Sequence, residues 1–217
     1  MTAILMRHPR RLLAACIVIA TAVATGAYTL AMVSAAARPP SPAAELATPV
    51  VGDLIPAAYT TGYTWFDNTP PGSTLISHPV RHARAGGIGT YADPITLAVG
   101  HSLETGRDVL DYAAGTRFYL PHVRRYFIVE DTCGDGASPQ DRGCHNLALA
   151  PSGATTWVDL YVGGTAEDDR AAVQACAAKV TDGDTELHTM IKDPASTHPV
   201  VPGTLFNAGR CTALYPG

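Results

Sequence analysis

At 217 residues, with 15 Lys and Arg against 19 Asp and Glu, the chain is long enough for one substantial core and carries a net charge of −4. Three of the cations (Arg7, Arg10, Arg11) lie in the first 37 residues, so the remainder holds 12 cations against the same 19 carboxylates, a balance near −7. Phosphate binding needs clustered Lys and Arg, and this excludes nucleic acid as the partner.

Residues 1–37 have a basic start, an uncharged apolar run from Leu12 to Val33 and small residues at Ser34 to Ala37, the layout of a cleaved signal peptide. The run is also long enough to span a bilayer, so a retained N-terminal anchor is the alternative. Either places the rest outside the cytoplasm. Residues 38–56, with Pro39, Pro40, Pro42, Pro49 and Pro56, read as a linker, and residues 57–217 as one folded domain. Cys16 falls in the leader, which leaves Cys133, Cys144, Cys176 and Cys211, an even set in an oxidising compartment. Three pairings are open. The preferred one joins Cys133 to Cys144 around a short Gly/Asp/Pro loop, and Cys176 on a helix to Cys211 in the C-terminal tail.

Thr60 to Asp67 is the first strand-like segment, stopped by the breaker run Asn68 to Gly72. Gly86 to Pro94 lacks the Lys-Ser/Thr of a phosphate loop, so its glycines predict a tight backbone crossing before a strand at Ile95 to Val99. Alternation there puts Ile95, Leu97 and Val99 on one face. Strands at Thr116 to Pro121 and Tyr126 to Asp131 flank a hairpin-length connection in which Arg124 and Arg125 read as solvated. Thr156 to Gly164 is another strand, dense in aromatic and β-branched residues. Thr165 to Lys179 is the one helix, capped by Thr165 with Asp168, its buried stripe being Ala172, Val173, Cys176 and Val180. From Thr189 to Gly217 the chain reads as irregular structure secured by Cys211. The expected fold is mainly β, a small barrel with one peripheral α-helix and a disulfide-tied tail.

Three stretches taken in order, Ala113 to Pro121, Tyr126 to Thr132 and Trp157 to Tyr161, resemble the double-psi β-barrel of the "3D" domain. That domain is found in membrane-bound lytic transglycosylase A and in secreted cell-wall proteins, and is named for three aspartates. The same barrel underlies expansins, rare lipoprotein A and small endoglucanases. The resemblance implies a six-stranded double-psi barrel with Asp159 at the catalytic acid and Asp131 at the neighbouring family aspartate. The first aspartate is Asp93 or Asp111, with Asp111 preferred because it just precedes the Gly-Thr strand. Thr64-Trp65-Phe66-Asp67 is similar to the stretch bearing the base in the endoglucanases. Departures are Cys133 in place of a turn glycine, 28 positions between Asp131 and Asp159, and Trp157 where a basic residue usually stands. They imply a reshaped groove.

The residues carry their own argument. With period two, Asp159 shares a face with Trp157 and Tyr161, an aromatic floor suited to sugar rings, and Trp65 and Tyr91 are further stacking candidates. Asp131 is expected at the barrel mouth near Asp159. Two carboxylates in a partly apolar groove split their pKa values and keep one protonated near neutrality. Each residue also has a plainer reading: Asp131 as an acceptor for backbone N–H groups, Asp67 as a turn residue, the aromatics as core. Scattered histidines without a His-Glu-x-x-His spacing argue against a metal, and no Gly-x-Ser-x-Gly marks a hydrolase nucleophile. The sequence thus predicts an exported monomer, without cofactor, acting on cell-wall polysaccharide such as peptidoglycan or β-glucan. Asp159 is its acid, Asp131 or Asp67 the second carboxylate, and Asp93 and Asp111 are further contacts. Membrane contact arises only through a retained leader. The alternative is a non-catalytic, expansin-like wall-binding or effector module.

Overall fold

The computed structural model describes residues 52–181 and 186–213; the leader and most of the linker lie outside them. Its strands are β1 (Asp53–Thr64), β2 (Ile95–Val99), β3 (His101–Ser102), β4 (Val109–Leu110), β5 (Arg117–Leu120), β6 (Arg125–Thr132), β7 (Thr156–Gly163), β8 (His188–Lys192), β9 (Phe206–Asn207) and β10 (Arg210–Cys211), with one helix, α1 (Arg170–Val180), between β7 and β8. Six of them close on themselves in the order β1-β8-β5-β6-β2-β7 and back to β1. Two of the six pairings, β1 with β7 and β2 with β6, are parallel, and the others are antiparallel. This is the mainly β, six-stranded barrel with one peripheral helix that the sequence predicts, and its pairing is consistent with a double-psi barrel.

Inside, Leu97, Phe118, Phe127, Val129, Val158 and Leu160 pack with no exposed surface. Burying such side chains stabilises by about 1.5–3 kcal/mol each. β2 is buried on both faces, not one, because the glycine-rich loop covers its outer side: Thr96 N–H donates to the Gly86 carbonyl at 2.9 Å. That crossing is tight. Gly87 has φ +94°, and a Cβ there would strike the Pro94 carbonyl.

Several boundaries move, each for a local reason. β1 begins at Asp53, inside the stretch read as linker, and tolerates Pro56 because its register against β8 shifts between Ile55 and Ala58. It stops at Thr64 because the Asp67 carboxylate takes the Thr64 N–H at 2.7 Å and turns the chain. α1 starts at Arg170, five residues late. Asp169 caps it by accepting from Ala171 N–H at 3.0 Å, while Thr165 donates to Asp168 in a separate turn upstream. The tail is not all irregular: β8 is a full member of the barrel, between β1 and β5. Cysteine pairing follows the expectation, Cys133–Cys144 with 6.0 Å between Cα atoms and Cys176–Cys211 with 5.4 Å. Two disulfides suit an extracellular or secreted protein. Among the described residues no helix is long and apolar enough to cross a membrane.

Arg125 is the largest departure. Expected in a solvated turn, it is 1% exposed and opens β6 with its guanidinium inside the protein. It donates to the carbonyls of Val123 (2.6 Å) and Gly203 (2.8 Å) and to the Thr212 hydroxyl (2.8 Å).

Nearby, the rings of His122 and His188 stack at 3.8 Å, and neither His122 nitrogen has a hydrogen-bond partner among the described residues. Burial, with His188 adding to it, pushes the His122 pKa down to about 3. Between pH 6.5 and about 3 the unfolded chain therefore binds a proton that the native state refuses, and stability falls as pH falls. Urea midpoints measured at pH 7 and pH 4.5 should differ less in His122→Phe than in the parent. An unchanged difference would remove this pair from the acid response.

Candidate functional site

The strand order brings the site together at Ala98. On one side β2 pairs with β6, setting Ala98 opposite Asp131; on the other it pairs with β7, setting Ala98 opposite Asp159. The two aspartates thus lie two strand spacings apart, roughly 9–10 Å between Cα atoms, with only a methyl group between them. β1 lies beyond β7 and sets Thr61 opposite Asp159. Over this floor the chain from Asp67 to Ser77 and the loop after Cys133 raise the walls of a cavity of about 260 Å³. Asp67, Asp131, Asp135 and Asp159 all line it, with Tyr63 and Ser77.

Asp159 is half-buried and carries the most perturbed carboxyl of the site. Burial raises its pKa to about 7, Asp67 and Asp131 push in the same direction, and a hydrogen bond from Thr61 opposes them. The orientation of that bond is fixed from behind. Trp157 Nε1, which can only donate, gives its proton to Thr61 Oγ1 at 3.0 Å, and Thr61 donates to Asp159 Oδ1 at 2.8 Å. One carboxyl oxygen is held and the other is left for a proton.

Asp131 has a different role. It is 6% exposed and its oxygens accept from Ser77 N–H, Ser77 Oγ and Thr132 N–H, each at 3.0 Å, and from the Tyr63 hydroxyl at 3.1 Å. Burial raises its pKa, and the Ser77, Thr132 and Tyr63 donors hold it back. The buried Tyr63 phenol is held well above its ordinary pKa, by burial first and then by the aspartates, so it stays a donor. Asp131 is a strut of the site, fastening the wall that contains Ser77 to the barrel. Asp67, exposed, accepts from Thr64, and Asp135, also exposed, accepts from the Thr69 hydroxyl at 2.5 Å.

The expected aromatic floor does not form. Tyr161 is 3% exposed and packs on Tyr63 at 5.3 Å, inside the core. Trp157 packs on Tyr59 at 4.9 Å and over Gly143, where a Cβ would meet its ring. Both faces of β7 are covered, so alternation along it does not separate groove from core. Trp65 lies edge-on to Phe66 at 5.1 Å. Tyr91 belongs to a second cavity, Asp93 is bonded to His82 at 2.7 Å, and Asp111 to His145 at 2.6 Å in a third. The structure therefore brings Asp67, Asp131 and Asp159 together, and leaves Trp65, Tyr91, Asp93, Asp111, Trp157 and Tyr161 outside the cavity lining. Sequence reasoning missed Thr61, Tyr63, Ser77 and Asp135. Thr61 and Tyr63 alternate on a strand ending at a singled-out aspartate, which was signal enough to find them; Ser77 and Asp135 carried none. Among the described residues no group of His, Cys, Asp or Glu is arranged to hold a metal ion.

A family profile described as "DDB_G0273701 N-terminal domain" matches residues 55–212, from β1 through β10, including all four carboxylates of the cavity and both disulfides. The chain belongs to the DDB_G0273701 N-terminal domain family. A relative in the family, named "Uncharacterized protein DDB_G0273701/DDB_G0273221", from Dictyostelium discoideum, is 31% identical over 153 residues. The match covers 70% of this chain and 57% of the relative, so the chain spans little more than half of that protein's length. No solved structure matches the chain.

Proposed function

We propose that the protein cleaves glycosidic bonds in extracellular polysaccharide of the cell wall, with Asp159 as the general acid. The observation that carries this reading is a carboxyl whose pKa stands at about 7, oriented by the Trp157–Thr61 relay, in the lining of a cavity walled by polar side chains. A proton donor works best when its pKa lies near the working pH. The order of Gly-Thr, Glu-Asp-Thr and apolar-Asp segments on a six-stranded barrel adds the resemblance to lytic transglycosylase A and its wall-directed relatives.

Two mechanisms are open to such a site, hydrolysis with a second carboxylate activating water and a route that needs a single acid, and the second is the better fit. The other three carboxylates each already accept hydrogen bonds, Asp67 from Thr64, Asp131 from Ser77, Thr132 and Tyr63, and Asp135 from Thr69. A carboxylate so engaged is a poorer base for activating water. In the single-acid route Asp159 gives its proton to the glycosidic oxygen as the C1–O bond breaks. A hydroxyl of the same sugar then closes on C1 and returns its proton to the Asp159 carboxylate. No water is consumed, and the product ends in an anhydro sugar.

The test is to incubate the purified, disulfide-bonded protein with peptidoglycan and with β-glucan and to identify soluble fragments by mass spectrometry. Fragments about 18 mass units lighter than hydrolysis products are the expected result, by loss of one water. Fragments with a free reducing end would turn the mechanism to hydrolysis, with Asp67 as the base candidate. Retention on insoluble glycan with no soluble product would overturn cleavage in favour of a binding module.

A further inference from the structure

The second cavity, of about 360 Å³, is lined by Arg81, Tyr91, Gly115, Arg117, Ile128 and Asp193, among others. Its two arginines arrive on separate segments, Arg117 held at its guanidinium and Arg81 at its backbone. Arg117 opens β5 opposite Ile128 of β6, and its guanidinium lies 4.7 Å over the Tyr91 ring. Stacking of that kind holds the planar fork at one tilt while leaving its N–H groups free to point outwards. Arg81 is exposed, yet its backbone is tied down: Glu130, fully buried, accepts on one oxygen from the N–H groups of Val80, Arg81 and His82. The other Glu130 oxygen bonds His82 Nδ1 at 2.7 Å, whose Nε2 reaches Asp93 at 2.7 Å.

Neither guanidinium has a carboxylate partner among the described residues. Asp193, in the same wall, is already engaged by Lys192 at 2.8 Å. In residues 57–217, which hold 17 carboxylates and 11 cations, two unmatched arginines lining one cavity are out of keeping with the rest of the surface. A planar anion answers to both, since each fork can offer paired N–H groups. One stretch of chain also borders both cavities. Leu75 to Ser77 line the Asp159 cavity and Val80 to Arg81 line this one, so a polymer following that segment meets both, no more than about 14 Å apart from Ser77 to Arg81.

We propose that this cavity is a carboxylate-binding subsite, in which Arg81 and Arg117 receive the acid group of a sugar while Tyr91 borders its ring. The substrate of the neighbouring acid is then an acidic glycan, not a neutral one. This rests on the reading that the protein handles extracellular polysaccharide.

Binding is measured apart from cleavage, by calorimetry with Asp159→Asn so that no turnover intervenes. The probes are a uronic-acid hexasaccharide, its neutral methyl ester and inorganic phosphate. The acid is expected to bind at least tenfold tighter than the ester, with a loss of tenfold or more in Arg81→Gln and in Arg117→Gln, and weakening as salt is raised. Thermal unfolding checks that both variants fold; Arg81, exposed, supplies the answer if Arg117→Gln does not. Equal binding of acid and ester, no binding of either, or binding unchanged in Arg81→Gln overturns the subsite, while cleavage of a neutral glycan elsewhere would still stand. Phosphate displacing the acid at equal concentration overturns the carboxylate assignment. Tight, arginine-dependent binding of the acid with no fragment released from any glycan by the parent protein sinks cleavage and leaves the subsite in place.

Discussion

Asp159→Asn is expected to lower glycan release by about 10²–10⁴-fold, the span that a positioned general acid contributes, and at the same time to make the protein harder to unfold. The second half follows from linkage. The native carboxyl holds its proton up to about pH 7, whereas an unfolded aspartate loses it near 3.8. Its contribution is fully present below pH 3.8 and is lost as pH rises through 7, so at pH 8 the native state carries a penalty on the order of 2–4 kcal/mol. Asparagine has no proton to lose and can still accept from Thr61. Denaturant midpoints of parent and variant should therefore converge near pH 4 and separate, in favour of the variant, towards pH 8. A variant that is inactive but no more stable at pH 8 would mean that Asp159 is ionised in the native state, and the acid would have to be sought elsewhere. Thr61→Ala gives an internal check. It removes the bond that favours the ionised form, so the alkaline limb of the activity profile should move upwards.

Arg125→Ala is expected to destabilise the fold by about 3–5 kcal/mol, a large fraction of the whole stability of an ordinary domain. Three groups lose their donor at once, the carbonyls of Val123 and Gly203 and the Thr212 hydroxyl, and a fully buried side chain leaves a void. Gly203 and Thr212 belong to the segment carrying β9 and β10, so the guanidinium is the peg on which that segment hangs. For a domain of this size the loss corresponds to a fall in Tm of about 6–20 °C. Arg107→Ala, at an exposed position, should change stability by less than about 0.5 kcal/mol. A shift of only about 1–2 °C for Arg125→Ala would show that the tail is held by other contacts.

The burial of Arg125 is not legible from its neighbours in sequence. Next to Arg124, in a connection between two strands, nothing local distinguishes a solvated arginine from a buried one; the acceptors that decide it are 78 and 87 positions further along the chain. Gly89 was visible as a crossing glycine, but the arginine stem it admits was not. β6 and β7 were legible because their apolar, aromatic and β-branched residues leave no other local reading. That both set an aspartate against Ala98 was not, since two long-range pairings and a register shift decide it. Asp131 and Asp159 are placed together by the resemblance and by the expected position of Asp131 at the barrel mouth, and both line one cavity. Their unequal roles come from Ser77, in a loop with no pattern of its own. β8 has no signal in the sequence because His-Thr-Met-Ile-Lys is short and gains its strand character from the edges of β1 and β5. The helix buries the expected stripe through Val173, Cys176 and Val180, although Asp169, four residues past Thr165, caps it.

The bridge between Cys133 and Cys144 has a consequence for when the protein becomes competent. Cys133 is itself part of the cavity wall, followed there by Gly134 and Asp135, so the same sulfur that closes the covalent loop also anchors one side of the chamber around Asp159. A newly made chain, its thiols still kept reduced, would have that side tethered through the backbone alone. The wall of the chamber is then complete only once the disulfide has formed, which suits assembly in an oxidising compartment.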